Sequence, residues 1–222
     1  MPPKTPKFPI DRVTKILREE TAHMQVPIVT EYARNQRNPF QVLVSTILSL
    51  RTKDACTAEA SRRLFERAQT PQELLELDVE TIVGLIYPVG FYKTKAQTLH
   101  DVCQTLIERF GGQVPNTLDE LLSLKGVGRK TANLVLTQGY GLPGICVDTH
   151  VHRITNRWGY VHTKSPEETE MVLRQILPPR YWIEINDWLV AYGQNLCKPV
   201  SPWCSRCRIR PDCRQVGVER SR

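Results

Sequence analysis

The sequence predicts an all-α protein, because signals for helix starts and ends recur along its 222 residues while strand signals are almost absent. Capping-box sequences, in which Ser or Thr is followed three residues later by Glu, begin at Thr70, Thr117 and Ser165. The one extended-looking piece, residues 143–147, is too short and too isolated to build a sheet. Apolar residues make up 41% of the chain, which is enough for an ordinary core.

The other helices are predicted from their boundary residues. Asn38 and Pro39 precede the apolar stretch FQVLVSTILSL, which predicts a buried helix with proline at its first position. A long helix is predicted over about 93–110, where two successive glycines end it. A last helix is predicted over about 181–196, directly before a group of cysteines.

The net charge of +7 favours a polyanionic partner, although many basic proteins bind no nucleic acid. No apolar run is long enough for a membrane span. Residues 1–12 lack the apolar core of a signal peptide and the Arg- and Ser-rich pattern of a transit peptide. We therefore expect a cytoplasmic protein without a membrane partner, associated with the nucleoid if the source is a bacterium. We also expect a monomer.

The segment LKGVGRKTANLVL joins two predicted helices into a helix-hairpin-helix unit over about 117–139. The glycines of the turn permit positive φ and leave backbone N–H groups uncovered, which together with the second helix N-terminus form a nest for a phosphate. Such a site would hold the DNA backbone without reading its sequence. The alternative is an ordinary helical corner ended by glycine. The residues expected at this DNA contact are Gly126, Val127, Gly128 and Arg129.

Two charged residues near helix starts need a separate explanation. Lys130 lies in the first turn of the second hairpin helix, where the helix dipole disfavours a cation. Helical spacing places it on a mostly polar face with Asn133, Leu134 and Thr137, so a solvated lysine is the simplest interpretation. Asp148 follows an apolar run at the start of another predicted helix, where aspartate is a preferred N-cap.

Four of the seven cysteines lie in one loop, residues 197–213, with the spacing C-x6-C-x2-C-x5-C. An odd number of cysteines without a secretory signal argues against a disulfide framework. Four thiolates this close can enclose a metal and leave no open coordination position. The ligands alone leave both structural zinc and an iron–sulfur cluster open. The four candidate ligands are Cys197, Cys204, Cys207 and Cys213.

Four sequence blocks together resemble the endonuclease III family of DNA glycosylase/AP lyases, within the helix-hairpin-helix glycosylase superfamily. They are GVGRKTAN (126–133), VDTHVHR (147–153), IYPVGFYKTKA (86–96) and the C-terminal cysteines, so the resemblance covers nearly the whole chain. It implies that Lys130 is the nucleophile, that Asp148 is the essential carboxylate, and that the cysteines hold a [4Fe–4S] cluster.

The resemblance also implies two helical domains that flank a cleft. The first is a helical-barrel domain over 30–142 that carries the hairpin. The second is discontinuous, combines 1–29 with 143–222, and contains the cluster loop. Basic residues of that loop would then meet DNA phosphates; they are Lys198, Arg206, Arg208 and Arg210.

Enzymes of this family flip the damaged nucleotide out of the duplex. The resemblance implies that the amine of Lys130 attacks C1′ of the sugar, that the base leaves, and that a Schiff base and β-elimination 3′ to the abasic site follow. A carboxylate close to the amine would favour its charged form. Asp148 therefore either stands off from Lys130 or accepts its proton, and both alternatives stay open.

Other residues match family positions that contact DNA. Val89 and Phe91 match the wedge that props the duplex open, although core packing is the alternative for Phe91. Arg51 stands where family members commonly carry Gln; it would either hydrogen-bond the orphan purine bidentately or contact phosphate. His150 is also expected to contact DNA. Lys125 stands where proline often precedes the hairpin glycines.

The resemblance therefore implies a bifunctional base-excision-repair enzyme. It would remove oxidised or ring-fragmented pyrimidines from double-stranded DNA and cleave the strand at the abasic site as an AP lyase. A related rival is a monofunctional mismatch glycosylase, which lacks the lysine. A rival of another class is a catalytically silent protein that binds DNA structures, which would need only the hairpin and the positive charge.

Overall fold

Helices are the only regular elements in the part of the chain that the structure, a computed structural model, describes: residues 8–24 and 38–222. The predicted all-α class is confirmed. No helix within these residues is long and apolar enough to cross a membrane. The α-helices are α1 Ile10–Thr21, α2 Pro39–Ser49, α3 Asp54–Phe65, α4 Pro71–Leu75, α5 Val79–Ile86, α6 Tyr92–Phe110, α7 Leu118–Leu122, α8 Arg129–Leu134, α9 Thr149–Trp158, α10 Pro166–Ile176 and α11 Ile185–Asn195.

The described residues fall into two compact units. One unit lies within Met1–Val26 and Ile145–Arg222, and the other lies within Pro27–Gly144. The first is therefore discontinuous in sequence, and we call it the smaller unit. The second is continuous and is called the larger unit; it carries the hairpin helices α7 and α8.

Helix α2 is buried along nearly its whole length, as its apolar sequence predicts. It begins at the predicted residues: the Asn38 side chain accepts hydrogen bonds from the N–H groups of Phe40 and Gln41, and Pro39 occupies the first turn. Residues Phe40 to Leu48 are all buried. The helix contacts α3, α6 and α8, so it forms the centre against which the hairpin packs.

The three predicted capping boxes are all present. In each, the hydroxyl of the cap residue accepts a hydrogen bond from the N–H three residues later, which satisfies one of the orphan donors at a helix start. The pairs are Thr70 with Glu73, Thr117 with Glu120, and Ser165 with Glu168.

The two longest predicted helices differ in how well their bounds were predicted. Helix α6 ends where expected, because Gly111 adopts a left-handed conformation with φ 59° and stops it. The last helix was predicted from residue 181, which is wrong, because α11 begins only at Ile185. Residues Pro179–Tyr181 instead form a 3₁₀ turn, in which the N–H of Trp182 bonds to the carbonyl of Pro179.

Helices α1, α9 and α11 pack together in the smaller unit. Each contributes one apolar face to a common core, and the ring of Phe8 stacks on Trp158 at 5.5 Å between centroids. This packing fixes α9, the helix that begins directly after Asp148. The core residues of these three helices include Val13, Leu17, Val151, Ile154, Trp158, Leu189 and Tyr192.

Candidate active site and DNA interface

The turn of the hairpin requires glycine at position 126. Gly126 has φ +86°, a conformation that side chains with a Cβ rarely adopt. A Cβ there would also lie 2.6 Å from Cγ2 of Thr98 on α6. The turn is closed by a hydrogen bond of 3.0 Å from the N–H of Val127 to the carbonyl of Leu124. The predicted glycine turn is confirmed at this position.

The second glycine of the hairpin, Gly128, does not have a left-handed backbone conformation. Its φ of −94° and ψ of 175° are extended backbone that any residue adopts, so Gly128 does not use the positive φ that glycine permits. Gly128 is the N-cap of α8, and its carbonyl accepts the hydrogen bond from the N–H of Ala132 at 2.9 Å. A Cβ would meet nothing within 4 Å. The missing side chain therefore leaves the start of α8 open to solvent, where first-turn N–H groups point outward.

Lys130 is half-buried in the first turn of α8. The polar face predicted for this helix is wrong, because Asn133, Leu134 and Thr137 are all buried. The segment at Gly144 covers that face: a Cβ on Gly144 would lie 3.1 Å from both Asn133 Oδ1 and Thr137 Cγ2. Residues 131–139 are buried throughout, so Lys130 stands at the solvent end of a helix that then enters the core.

Two polar side chains of this buried stretch are hydrogen-bonded to nearby main chain. The amide of Asn133 donates to the carbonyl of Arg129 at 3.1 Å, and the hydroxyl of Thr137 donates to the carbonyl of Asn133 at 2.8 Å. The α-helix continues as a π-helical turn, Val135–Gly139. Such turns are frequent at functional sites and are less regular than an α-helix.

Asp148 is the N-cap of α9, as its sequence position allowed. One oxygen, Oδ1, accepts hydrogen bonds from the N–H groups of His150 at 2.8 Å and Val151 at 2.9 Å. Two donors on one oxygen fix the plane of the carboxylate at the start of the helix. This arrangement gives the aspartate a structural task, and it leaves open a second, chemical task for the same group.

His150 is half-buried, and its ring packs against Gly193 within the smaller unit. Its Nδ1 lies 3.1 Å from Nη2 of Arg153, and a Cβ on Gly193 would lie only 2.3 Å from the same nitrogen. Arg153 Nη2 also donates to the carbonyl of Cys197 at 2.9 Å. Burial lowers the pKa of Arg153 from its usual value. Helix α9 is thus tied by a charged side chain to the first cysteine of the cluster loop.

The four cysteines of the loop line one pocket of the smaller unit. Three of their sulfurs are near hydrogen-bond donors: Arg157 Nη1 lies 3.4 Å from Cys197 Sγ, the Tyr192 hydroxyl 3.2 Å from Cys207 Sγ, and the Gln215 N–H 3.4 Å from Cys213 Sγ. In the described ranges, no three His, Cys, Asp or Glu side chains are placed to hold a metal ion. Soft thiolates with donors around the sulfurs fit the environment of an iron–sulfur cluster.

Arg157 anchors the start of the cluster loop. It is buried, and its guanidinium donates to the carbonyls of Lys198 at 2.7 Å and Pro199 at 2.6 Å. Of the basic loop residues, Arg208 forms ion pairs with Glu19 and Glu20 of α1, which raise its pKa. The other three basic residues of the loop are exposed; they are Lys198, Arg206 and Arg210.

The residues of the predicted wedge are placed very differently from one another. Val89 is 1% exposed and belongs to the core of the larger unit, so its side chain is not at the surface. Phe91 is 62% exposed, and the guanidinium carbon of Arg51 lies 5.5 Å from the centroid of its ring. Core packing therefore explains Val89, whereas Phe91 and Arg51 form an exposed pair.

Comparison with known proteins identifies the family. Residues 44–179 match the HhH-GPD superfamily of base excision DNA repair proteins. The chain is 47% identical over 188 residues to endonuclease III of Thermotoga maritima, a match that covers 84% of this chain and 88% of that protein. The chain belongs to the endonuclease III family. The resemblance noted in the four sequence blocks is confirmed.

Solved structures of endonuclease III share the fold. A non-covalent endonuclease III–DNA complex has a TM-score of 0.84 and 32% identity, and the match covers 95% of this chain and 96% of that one. A trapped endonuclease III–DNA covalent intermediate has the same TM-score and identity, with 95% and 97% covered.

Sequence reasoning missed three residues of this endonuclease III family member. Arg153, Arg157 and Lys95, one of the two lysines in KTKA (93–96), received no structural role from the sequence. All three donate to main-chain carbonyls of segments distant in sequence. The sequence shows only that a cation lies within an amphipathic helix. It does not show which distant carbonyl groups the cation will bind.

Proposed function

We propose that Lys130 and Asp148 carry out, in this chain, the DNA glycosylase and AP lyase reactions of the endonuclease III family. The position of Lys130 carries the proposal. Lys130 is half-buried and lies in the first turn of α8, next to Gly128, where no side chain covers the helix start. The residues that follow it, 131–139, are all buried. A covalent endonuclease III–DNA intermediate has been trapped for a relative, which fits an enzyme nucleophile.

The reaction begins with a damaged nucleotide flipped out of the duplex. The neutral amine of Lys130 attacks C1′ of the sugar, the bond from C1′ to the base nitrogen breaks, and the base leaves with the bonding electrons and takes up a proton. The sugar ring opens to a Schiff base between C1′ and the lysine nitrogen. Loss of a C2′ proton then expels the 3′ phosphate, and hydrolysis of the Schiff base frees the lysine.

Asp148 acts on the charge that develops in these steps. A carboxylate held by two N–H donors on Oδ1 keeps its second oxygen in a fixed orientation. It can stabilise positive charge on the sugar as the base leaves, or it can take the proton of Lys130. The two tasks affect base excision and lyase cleavage differently, so enzyme kinetics can distinguish them.

The hairpin binds the DNA backbone next to the reacting nucleotide. The open start of α8 offers first-turn N–H groups, Gly126 and Gly128 keep side chains away, and Arg129 adds a positive charge. These are contacts to phosphate, so they position the enzyme and carry no sequence information. The +7 charge of the chain supports the same partner, duplex DNA.

The exposed pair Arg51 and Phe91 would fill the gap that the flipped nucleotide leaves. An aromatic ring can stack in an opened base step, and a guanidinium can hydrogen-bond the edge of the orphan purine bidentately. Contact of Arg51 with phosphate is the alternative. A preference for guanine opposite the lesion would support the first role, because guanine presents two adjacent acceptors in the major groove.

The four cysteines of the loop would hold a [4Fe–4S] cluster as ligands Cys197, Cys204, Cys207 and Cys213. When bound, this group holds the loop together and leaves no open coordination position for substrate. Arg157 supports the loop by binding its main chain and by donating to Cys197. The exposed basic residues of the loop are then available to DNA phosphates.

The substrate class we propose is oxidised or ring-fragmented pyrimidines in double-stranded DNA. The test uses duplexes that differ only in one position: an oxidised pyrimidine, an oxidised purine, an A·G mismatch or a ready-made abasic site. We expect base release and strand cleavage with the oxidised pyrimidine and cleavage alone at the abasic site. Base release from the mismatch without cleavage would favour a monofunctional enzyme, and binding without any reaction would favour a silent DNA-binding protein.

A further inference from the structure

Lys95 is a buried lysine in the first turn of α6, with 6% of its surface exposed. Its ammonium donates three hydrogen bonds: to the carbonyl of Leu48 at 2.7 Å, to the carbonyl of Leu50 at 2.6 Å and to Oγ1 of Thr52 at 3.0 Å. Three acceptors match the three N–H donors of an ammonium, so the buried group is fully hydrogen-bonded. All three acceptors lie in the segment that ends α2 and precedes α3.

The turn that carries Phe91 is held against this same segment at Gly90. The N–H of Gly90 donates to Oγ1 of Thr52 at 3.1 Å. A Cβ on Gly90 would lie 2.6 Å from the carbonyl oxygen of Arg51, so only glycine permits this approach. The two turns therefore meet main chain to main chain, and the hydroxyl of Thr52 accepts from both Gly90 and Lys95.

Arg51 and Phe91 both have left-handed backbone conformations, with φ of 53° and 58°. Such angles are strained for residues with a Cβ. Both side chains are exposed, so core packing does not compensate for the strain. A strained residue persists where many surrounding contacts hold its conformation, and such residues cluster at sites that contact ligands. Here the surroundings are the contacts of Lys95, Thr52 and Gly90.

We propose that Lys95 is a positioning residue for DNA: its ammonium holds residues 48–52 so that Arg51 and Phe91 stand together, already formed, for the gap in the duplex. The inference rests on the proposed function, which assigns that gap to the pair. A pair that is ordered before DNA binds loses less conformational freedom on binding, which raises affinity and keeps the base stack open.

The charge state of Lys95 fits this task. Burial lowers the pKa of Lys95 to about 8, while the electrostatic effect of the nearby Cys56 acts in the opposite direction. At neutral pH the side chain therefore remains mostly ammonium. Its neutral form would have two N–H donors for three acceptors.

The test uses a duplex with a stable abasic-site analogue and 2-aminopurine as the neighbouring base, whose fluorescence changes when the stack opens. We expect Lys95→Met to reduce the fluorescence change at saturating protein as far as Phe91→Ala does. Single-turnover base excision should fall by roughly tenfold to a hundredfold, as expected for misplaced contacts. Lys93→Met removes an exposed lysine from the same turn and serves as the charge control. It should change at most the salt dependence of binding.

Two further variants separate positioning from general stability. Thr52→Val removes the hydroxyl that accepts from Gly90 and Lys95 and that donates to the carbonyl of Leu50 at 3.3 Å. It should lower the fluorescence change in the same direction even if Lys95→Met folds poorly. Adding Thr52→Val or Lys95→Met to Phe91→Ala should have no further effect on fluorescence, because both act through the same pair. A further loss of the fluorescence change in the double variants, relative to Phe91→Ala alone, would overturn the inference. It would also be overturned if Thr52→Val and Lys95→Met gave the wild-type fluorescence change while Phe91→Ala did not.

The fluorescence assay needs binding alone, so it is independent of catalysis. A wild-type protein that opens the stack but releases no base would remove the proposed enzyme function and leave the role of Lys95 supported. A Phe91→Ala variant with the wild-type fluorescence change would overturn the role of the pair and, with it, that of Lys95.

Discussion

The carboxylate of Asp148 accepts a hydrogen bond from the main-chain N–H of Val151 at 2.9 Å, through the same oxygen that accepts from His150. This relationship makes the residue a helix cap as well as the proposed catalytic carboxylate. The two tasks depend on different properties of the side chain: the cap needs an acceptor oxygen, whereas the chemistry needs a negative charge. A substitution that keeps the oxygen and removes the charge separates them.

Asp148→Asn is therefore expected to keep the fold and lose base excision. Asparagine caps helices about as well as aspartate, so the free energy of unfolding should change by less than about 1 kcal/mol. Base release from an oxidised pyrimidine should fall by orders of magnitude. Cleavage at a ready-made abasic site should fall less, since no base has to leave. Thermal melting and separate glycosylase and lyase assays measure these effects.

Asp78→Asn provides the matched control, since Asp78 caps α5 by accepting from the N–H of Thr81 at 2.7 Å. It should leave both activities unchanged. If Asp148→Asn strongly lowered the melting temperature while activity per folded molecule stayed normal, capping would be the whole role of Asp148. Equal losses of excision and lyase activity in a folded protein would identify proton removal from Lys130 as its main task.

Arg129→Gln is expected to weaken DNA binding without changing the preferred lesion. The logarithm of the binding constant should fall with the logarithm of salt concentration, and the variant should reduce that slope by about one. Fluorescence anisotropy at several salt concentrations gives the slope. Arg109→Gln, an exposed arginine at the end of α6, controls for the loss of charge alone. An altered lesion preference at a constant slope would place Arg129 at the base pocket.

The purified protein is expected to show the visible absorbance of an iron–sulfur cluster and about four iron atoms per chain. Replacement of any one of the four loop cysteines by Ala should unfold the loop before it affects the chemistry, because metal binding and local folding are coupled. Elemental analysis decides the assignment. Stoichiometric zinc in the absence of iron would show that the cysteine set serves a different metal.

Arg157→Gln should destabilise the loop from within the protein. It removes the guanidinium that donates to the carbonyls of Lys198 and Pro199, and a hydrogen bond to a charged group contributes about 1.5–3 kcal/mol. We expect lower iron content and a lower unfolding midpoint in denaturant. Arg206→Gln changes an exposed arginine of the same loop and should leave both values unchanged. Equal behaviour of the two variants would exclude an anchoring role for Arg157.

Local features were predictable from the sequence. The helix starts at Asn38, Thr70, Thr117 and Ser165 were all located correctly, because a cap depends on residues within four positions of one another. The turn at Gly126 is local in the same sense. The turn requires a positive φ at position 126, and glycine is the residue that adopts such an angle readily.

Features that depend on distant segments were not predictable. The face of α8 that includes Asn133 looked polar, but it is buried, and the chain returns at Gly144 to lie against Asn133 and Thr137. Lys95 receives its acceptors from 43 to 47 residues earlier in the chain. No period or motif in a single sequence specifies such contacts, so the carbonyls that Lys95 and Arg157 bind were not predictable.

The nucleophile assignment is tested most directly by borohydride trapping on abasic-site DNA with Lys130→Gln. Borohydride reduces a Schiff base to a stable amine, so a trapped protein–DNA adduct reports an attacking amine. The variant should give neither adduct nor strand cleavage, while affinity for the abasic site largely survives on the hairpin N–H groups and Arg129. Lys125→Gln, which removes an exposed lysine of the same hairpin, should trap like the wild-type protein. A normal yield of adduct from folded Lys130→Gln would contradict the assignment of Lys130 as the nucleophile.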